Sequence, residues 1–125
     1  MNREIKFRGK RSNGRWVYGS LVVSKKIDPA IYFNISKGAA EVLDWCYVKP
    51  DTIGQYTGLK DKEGNKIFEG DIVEFTNLDL PNMVIRFDNG SFMLCEDENS
   101  TYEELRMNYV VEVVGNIHDN PELIK

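Results

Sequence analysis

Few residues in this 125-residue chain could perform acid–base chemistry, and they are scattered. His118 is the one histidine, and beside Asp119 it could act as a general base held by a carboxylate. No nucleophile motif accompanies this pair, so we interpret His118 as a turn histidine ahead of Pro121. Asp71 follows a glycine at a strand entry, where a carboxylate commonly accepts backbone N–H bonds. An enzyme is therefore the third of three functional hypotheses, and a deep pocket converging on these residues would support it.

Ligand spacing for a metal or a phosphate group is also missing. Cys46 and Cys95 are far apart and not in Cys-x-x-Cys form, so a zinc site is not indicated. Residues 58–66 resemble a phosphate-binding loop but lack its Gly-Lys-Ser/Thr ending, and their acidic residues are misplaced for a calcium loop. We interpret residues 61–64 as a solvent-exposed turn. We therefore predict no metal, no cofactor and no enzymatic activity.

The strongest turn signal lies near the N-terminus, at Asn13-Gly14, because a type I′ hairpin turn needs a positive φ at both central residues. Folding the chain about this turn pairs Phe7 with Ser20. That register separates the basic side chains from Trp16 and Tyr18, which would point into the core and offer no stacking platform. The basic face is a candidate polyanion-binding site, and it consists of Lys6, Arg8, Lys10 and Arg15.

Charge is distributed unevenly along the chain, whose net charge is −4. Residues 1–26 contain eight Lys or Arg and one acidic residue, whereas residues 27–125 contain eight basic and nineteen acidic residues. Such an asymmetry is typical of a polyanion-binding segment, but also of two segments that dock on each other. The acidic net charge opposes nucleic-acid binding by the chain as a whole.

The pattern between the turns predicts a mainly β protein, with strands over residues 43–48, 53–57, 71–75 and 109–114. A second turn at Asn89-Gly90 predicts a hairpin that pairs Phe87 with Phe92 and Ile85 with Leu94. Turn signals recur about every eight to twelve residues, which is typical of a sandwich or a small barrel.

Helix signals are few. Residues 100–105 fit a capping-box start and predict one helix of two turns. Residues 27–42 begin with a strand-like alternation that a glycine interrupts, so their structure is left open. At this length we expect a single domain over residues 1–125.

The composition indicates an ordinary globular chain, with 42% hydrophobic and 29% charged residues. No apolar run is long enough to span a bilayer, and the first residues have no apolar signal region, so we expect no membrane and no secretion. The two cysteines are then expected to be small buried hydrophobes in a reducing compartment.

Five segments carry a family resemblance: residues 3–10 (REIKFRGK), 16–19 (WVYG), 53–61 (IGQYTGLKD), 67–73 (IFEGDIV) and 114–123 (VGNIHDNPEL). With them the chain resembles the YopX family of phage and prophage proteins nearly from end to end. The resemblance implies an SH3-like β-barrel, to which we add an N-terminal β-hairpin extension and at most one short helix. It also implies a location in the bacterial host cytoplasm. It carries over no catalytic or binding residue.

These observations favour a non-enzymatic interaction module that binds an unknown protein partner of the phage or of its host. The alternative is a nucleic-acid-binding protein that uses the basic N-terminal hairpin face. Polar and aromatic groups on a rigid turn are good recognition elements, so the central motif supplies a candidate protein-contact surface. That surface consists of Gln55, Tyr56, Lys60 and Asp61. The oligomeric state is left open.

Overall fold

The computed structural model describes residues 3–97 and 99–124, which fold into strands joined by short turns. The chain divides into two compact units, an N-terminal unit, Met1–Gln55, and a C-terminal unit, Tyr56–Lys125. Because 55% of the described residues are in strands, the prediction of a mainly β protein is confirmed.

The N-terminal unit is an antiparallel sheet in the order β4-β3-β2-β1, and the first residues of β5 pair with β1. Residues 27–42, left open by the sequence, form β3 and the start of β4 around Gly38, whose φ is 62°. All eight residues of β3 pair with β4. The elements are β1 (Phe7–Lys10), β2 (Trp16–Val22), β3 (Ala30–Lys37), β4 (Ala40–Tyr47), a 3₁₀ turn (Pro50–Thr52) and β5 (Gly54–Lys60).

The C-terminal unit pairs the rest of β5 with β6 and adds a five-stranded antiparallel sheet in the order β10-β9-β8-β7-β11. Its elements are β6 (Lys66–Phe68), β7 (Asp71–Phe75), β8 (Met83–Asp88), β9 (Ser91–Asp97), β10 (Ser100–Glu104), β11 (Val111–Asn116) and a 3₁₀ turn (Pro121–Leu123). Apolar side chains from these strands and from the residue after β10 form one buried cluster, which consists of Ile67, Val73, Phe75, Met83, Ile85, Leu94, Leu105 and Val111.

Two predictions about architecture differ from the structure. The pairings form two antiparallel sheets, and neither is closed into the barrel that the family resemblance implied. No α-helix occurs among the described residues, and residues 100–105, predicted as a helix, contain strand β10. Pairing with β9 outweighs the capping signal there, and the backbone N–H of Leu105 donates a hydrogen bond to the carbonyl of Phe92 (2.9 Å).

The two Asn-Gly turns have different geometries. Asn89 and Gly90 both adopt a positive φ (50° and 79°), as a type I′ turn requires, and the predicted pairing of Phe87 with Phe92 is confirmed. In the first hairpin only Gly14 has a positive φ (86°), and its N–H donates to the carbonyl of Arg11 (2.9 Å). The loop therefore has three residues, and the predicted register is wrong by one residue.

Asp61 connects the turn after β5 to β11, so the prediction of a solvent-exposed turn is wrong at this position. Its side chain is buried, with 7% of the residue exposed. Oδ1 accepts the N–H groups of Glu63 (2.9 Å) and Asn65 (2.8 Å), and Oδ2 accepts the N–H of Val113 (3.0 Å). Burial raises the pKa of Asp61, but the hydrogen bonds from Val113, Asn65 and Glu63 outweigh it and hold the pKa below its ordinary value of 3.8.

Removing this carboxylate should destabilise the protein in a pH-dependent way. We expect Asp61→Ala to lower the free energy of unfolding at pH 7 by about 2–4 kcal/mol, because three backbone N–H groups lose their acceptor. The pKa of Asp61 is lowered in the folded state. The charged carboxylate therefore stabilises the folded protein above about pH 4, and this stabilisation is lost as the pH falls through the folded pKa. The difference in the free energy of unfolding between the wild type and Asp61→Asn should therefore become smaller towards low pH. Urea denaturation at several pH values measures it.

The matched control is Asp79→Asn, which changes an exposed carboxylate of the same unit. A loss of stability at Asp61 no larger than that at Asp79 would contradict the structural role assigned to Asp61.

Candidate nucleic-acid interface

The observed register of the first hairpin brings basic and aromatic side chains onto the same face of the sheet. Arg8 pairs with Tyr18 and Lys10 with Trp16, and residues directly opposite each other share a face. The Arg8 guanidinium carbon lies 4.6 Å from the centroid of the Trp16 ring, and the Lys10 ammonium lies 5.7 Å from it. The predicted separation of cations from aromatic rings is therefore wrong, since a shift of one residue reverses the faces.

The four predicted polyanion-binding residues do not form a flat row. Arg8 is buried, with 5% of the residue exposed, so it offers no phosphate contact. Lys10 and Lys6 are half-buried, and the Lys6 ammonium lies 3.8 Å from a carboxylate oxygen of Glu4. Such a solvent-accessible pair stabilises little and competes weakly with a ligand. Arg15 is exposed and directly precedes β2.

The aromatic residues continue across β3 and β4, which sequence reasoning did not detect. Tyr32 pairs with Trp45, and their ring centroids lie 6.0 Å apart at an interplanar angle of 25°. Tyr47 lies against Trp45 edge to face, at 5.0 Å. Trp45 and Tyr47 remain 45% and 50% exposed. Ser20 pairs with Tyr32, which joins this aromatic surface to the first hairpin.

A groove of about 330 Å³ lies on the same face. Its walls include a cation from Lys6, the rings of Tyr18 and Tyr32, and the amide of Asn34. These groups are of the types that bind a phosphate, stack on a base and hydrogen-bond a base edge. We call this surface the aromatic–basic face, and we define it by Lys6, Tyr18, Tyr32, Asn34, Trp45 and Tyr47.

On the opposite face of these strands, Gly9, Gly19 and Ile31 are closely packed, whereas the aromatic–basic face is accessible. Ile31, next to Tyr32 on β3, has no exposed surface. Gly19 on β2 lies against the backbone of β3 so closely that a β-carbon would collide with the carbonyl oxygen of Tyr32. Gly9 likewise lies against the side chain of Val48. The alternation of side chains along a strand thus places the neighbouring aromatic residues on the outer side.

The second predicted surface is not presented as one patch. Tyr56 is 7% exposed and packs against Phe68, with ring centroids 5.6 Å apart. Asp61 is buried in the hydrogen-bonded turn described above. Gln55 is half-buried and belongs to the N-terminal unit, whereas Lys60 is exposed on β5. Tyr56 and Asp61 therefore have structural roles.

The residues considered for catalysis also have structural roles. Asp71 is buried, and its Oδ2 accepts the N–H of Phe68 (2.7 Å), as its strand-entry position predicts. The N–H groups of His118 and Asp119 donate to Oδ1 of Asn116 (3.0 and 2.9 Å), so His118 lies in a turn. Within residues 3–97 and 99–124 no group of three or more His, Cys, Asp or Glu side chains could hold a metal ion.

Neither cysteine forms a disulfide. Cys46 is half-buried, and Cys95 is buried. Burial raises the pKa of the Cys95 thiol, while the charge of Arg86 acts in the opposite direction. In the described part of the chain, no helix has the length and hydropathy needed to cross a bilayer.

Comparison with known proteins identifies the family. The family model described as YopX protein matches residues 6–125, and the chain belongs to this family. The crystal structure of protein EF1440 from Enterococcus faecalis is similar over 98% of this chain and 99% of that chain, with a TM-score of 0.63 and 23% identity. At this identity the likeness shows the fold alone. Among curated proteins, none matches this chain.

The close approach of β2 to β3 predicts a steric requirement for Gly19. We expect Gly19→Ala to lower the free energy of unfolding by about 1–3 kcal/mol, because a backbone carbonyl cannot move aside as a side chain can. The matched control is Ser20→Ala, at the exposed neighbouring position of β2. Urea denaturation of both variants measures the difference, and equal stabilities would contradict the observed spacing of β2 and β3.

Proposed function

We propose that this YopX family member binds single-stranded nucleic acid through the aromatic–basic face, without catalysing a reaction. The observation that carries the proposal is that exposed aromatic rings and a cation share one accessible face of the N-terminal unit. Proteins that bind single strands combine such rings, on which bases stack, with cations that follow the phosphate backbone.

Stacking would supply most of the affinity. Trp45 and Tyr47 each leave about half of their surface accessible in the folded chain. Stacking of one base on an aromatic ring contributes about 1–3 kcal/mol and tolerates every base, because each base has a π-face. A duplex hides these faces between its base pairs. The expected ligand is therefore a single strand with little sequence preference.

The distribution of charge supports an approach from the N-terminal side. Residues 1–55 contain ten Lys or Arg and five acidic residues, whereas residues 56–125 contain six and fifteen. The acidic net charge of the chain thus resides in the C-terminal unit. Salt screens charges beyond about 8 Å at physiological ionic strength, so a polyanion is attracted by the local positive potential of the unit that it contacts.

A protein partner is the second candidate function, and one observation favours it. Leu43 lies opposite Asn34 on the same face and is 66% exposed, which suits an apolar contact better than a phosphate contact. Aromatic residues are also enriched in protein interfaces. In this case the protein is an interaction module for a partner of the phage or of its host, in the cytoplasm of the bacterium.

Fluorescence anisotropy with labelled oligonucleotides tests the first proposal. We expect the wild type to bind a single-stranded DNA or RNA more tightly than the matching duplex, with an affinity that falls as salt rises. Trp45→Ala should weaken binding about tenfold, because one stacked base loses its ring. Lys6→Gln should reduce the salt dependence of binding. The slope of the logarithm of the binding constant against the logarithm of the salt concentration should change by about 0.7 for one lost phosphate contact on a single strand.

The matched control is Phe87→Ala, which removes an exposed strand aromatic from the C-terminal unit. This variant should bind like the wild type. No binding at low salt, or an equal loss in Phe87→Ala and Trp45→Ala, would reject the nucleic-acid proposal and leave the protein-partner function.

A further inference from the structure

A second groove, of about 320 Å³, lies in the C-terminal unit. Its lining residues come from β8, from the end of β9 and from the segment after β11. The described residues of this lining are Val84, Arg86, Asp97, Ile117, Pro121 and Ile124. Four of these six side chains are aliphatic, and the other two carry opposite charges.

Arg86 is a cation of the groove, and it belongs to no ion pair in the described part of the chain. The Nε atom is buried and has no hydrogen-bond partner there. Asp97 lines the same groove but forms no ion pair with Arg86. The floor beside Arg86 is apolar, because Val84, two residues earlier on β8, is fully buried.

A buried donor that has no acceptor in the protein is stabilised by a ligand that supplies one. The planar guanidinium of arginine matches a carboxylate, which can accept two parallel hydrogen bonds. The charge of Arg86 therefore selects an anionic group. The aliphatic side chains of Ile117, Pro121 and Ile124 select an apolar body for the same ligand.

Asp97 restricts the ligand further. A second negative charge in the groove would be repelled by this carboxylate, which disfavours phosphates and dicarboxylates. A ligand ammonium would instead pair with it. A molecule with one carboxylate, one ammonium and an aliphatic side chain matches all three features of the lining.

The walls of the groove are held by hydrogen bonds, so the site is already formed without a ligand. The N–H of Ile117 donates to the carbonyl of Gly70 (3.0 Å). The side-chain amide of Asn82 donates to the carbonyl of Leu123 (3.3 Å), which anchors the 3₁₀ turn that carries Pro121. A preformed site avoids the entropic cost of ordering a loop on binding.

We propose that this groove binds a small aliphatic zwitterion of the free amino-acid class. Arg86 holds the carboxylate, Asp97 holds the ammonium, and the aliphatic walls cover the side chain. The volume lies at the lower end of the range of ligand pockets, about 300–1,000 Å³, and therefore suits a molecule of this size.

Isothermal titration calorimetry of the full chain tests this site with L-leucine and two analogues, each of which lacks one charged group. The analogues are 4-methylpentanoate, without the ammonium, and 3-methylbutan-1-amine, without the carboxylate. We expect saturable leucine binding with a Kd at or below about 1 mM, and weaker binding of both analogues. Arg86→Met should weaken leucine binding at least about tenfold, because it keeps the length of the side chain and removes its charge.

Asp97→Asn separates the role of the ammonium. It should weaken leucine binding but not the binding of 4-methylpentanoate, which has no ammonium to pair with Asp97. Arg106→Met, at an exposed arginine of the same unit, is the control and should bind leucine like the wild type. Melting curves of each variant verify that it is folded. The proposal is overturned if leucine shows no saturable binding, if folded Arg86→Met binds it normally, or if 4-methylpentanoate binds as tightly as leucine.

Discussion

The geometry of one turn decides which side chains of the N-terminal unit lie together. Gly14 alone adopts a positive φ in the first hairpin, and its loop has three residues. The pairing of β1 with β2 is therefore shifted by one residue from the pairing that a two-residue loop would give. Side chains alternate between the faces of a strand, and this shift therefore places Arg8 and Lys10 beside Tyr18 and Trp16. The aromatic–basic face exists because of this register.

The rest of the N-terminal unit extends that arrangement. Gly19 allows the backbone of β2 to lie directly against β3, and the full pairing of β3 with β4 adds Tyr32, Trp45 and Tyr47 to the same face. Ile31 is buried on the opposite face, whereas Trp45 and Tyr47 remain about half exposed on this one. Exposed aromatic rings are therefore a consequence of the register and of the close approach of these strands, and they give the face its proposed function.

How much could be predicted from the sequence depended on whether the signal was local. Asn89-Gly90 specified its turn and its pairing correctly, because both residues adopt the conformation that the type I′ turn requires. The same dipeptide at Asn13-Gly14 did not specify its turn, because only Gly14 has a positive φ there. The length of that loop depends on the whole hairpin and not on the dipeptide alone. The local pattern predicts an exposed Asp61, because the hydrogen bond from the Val113 N–H joins residues far apart in sequence. Non-local pairing likewise formed β10, where a capping pattern predicted a helix.

The most direct test of this account is the chemical-shift perturbation of the ¹⁵N-labelled protein on addition of a short oligothymidylate. If the aromatic–basic face binds the strand, the largest changes fall on the indole N–H of Trp45 and on the amides of Tyr32, Tyr47 and Lys6. The amides of β8 and β9 in the C-terminal unit should change little. Changes centred on the C-terminal unit, or none at saturating ligand, would contradict the account.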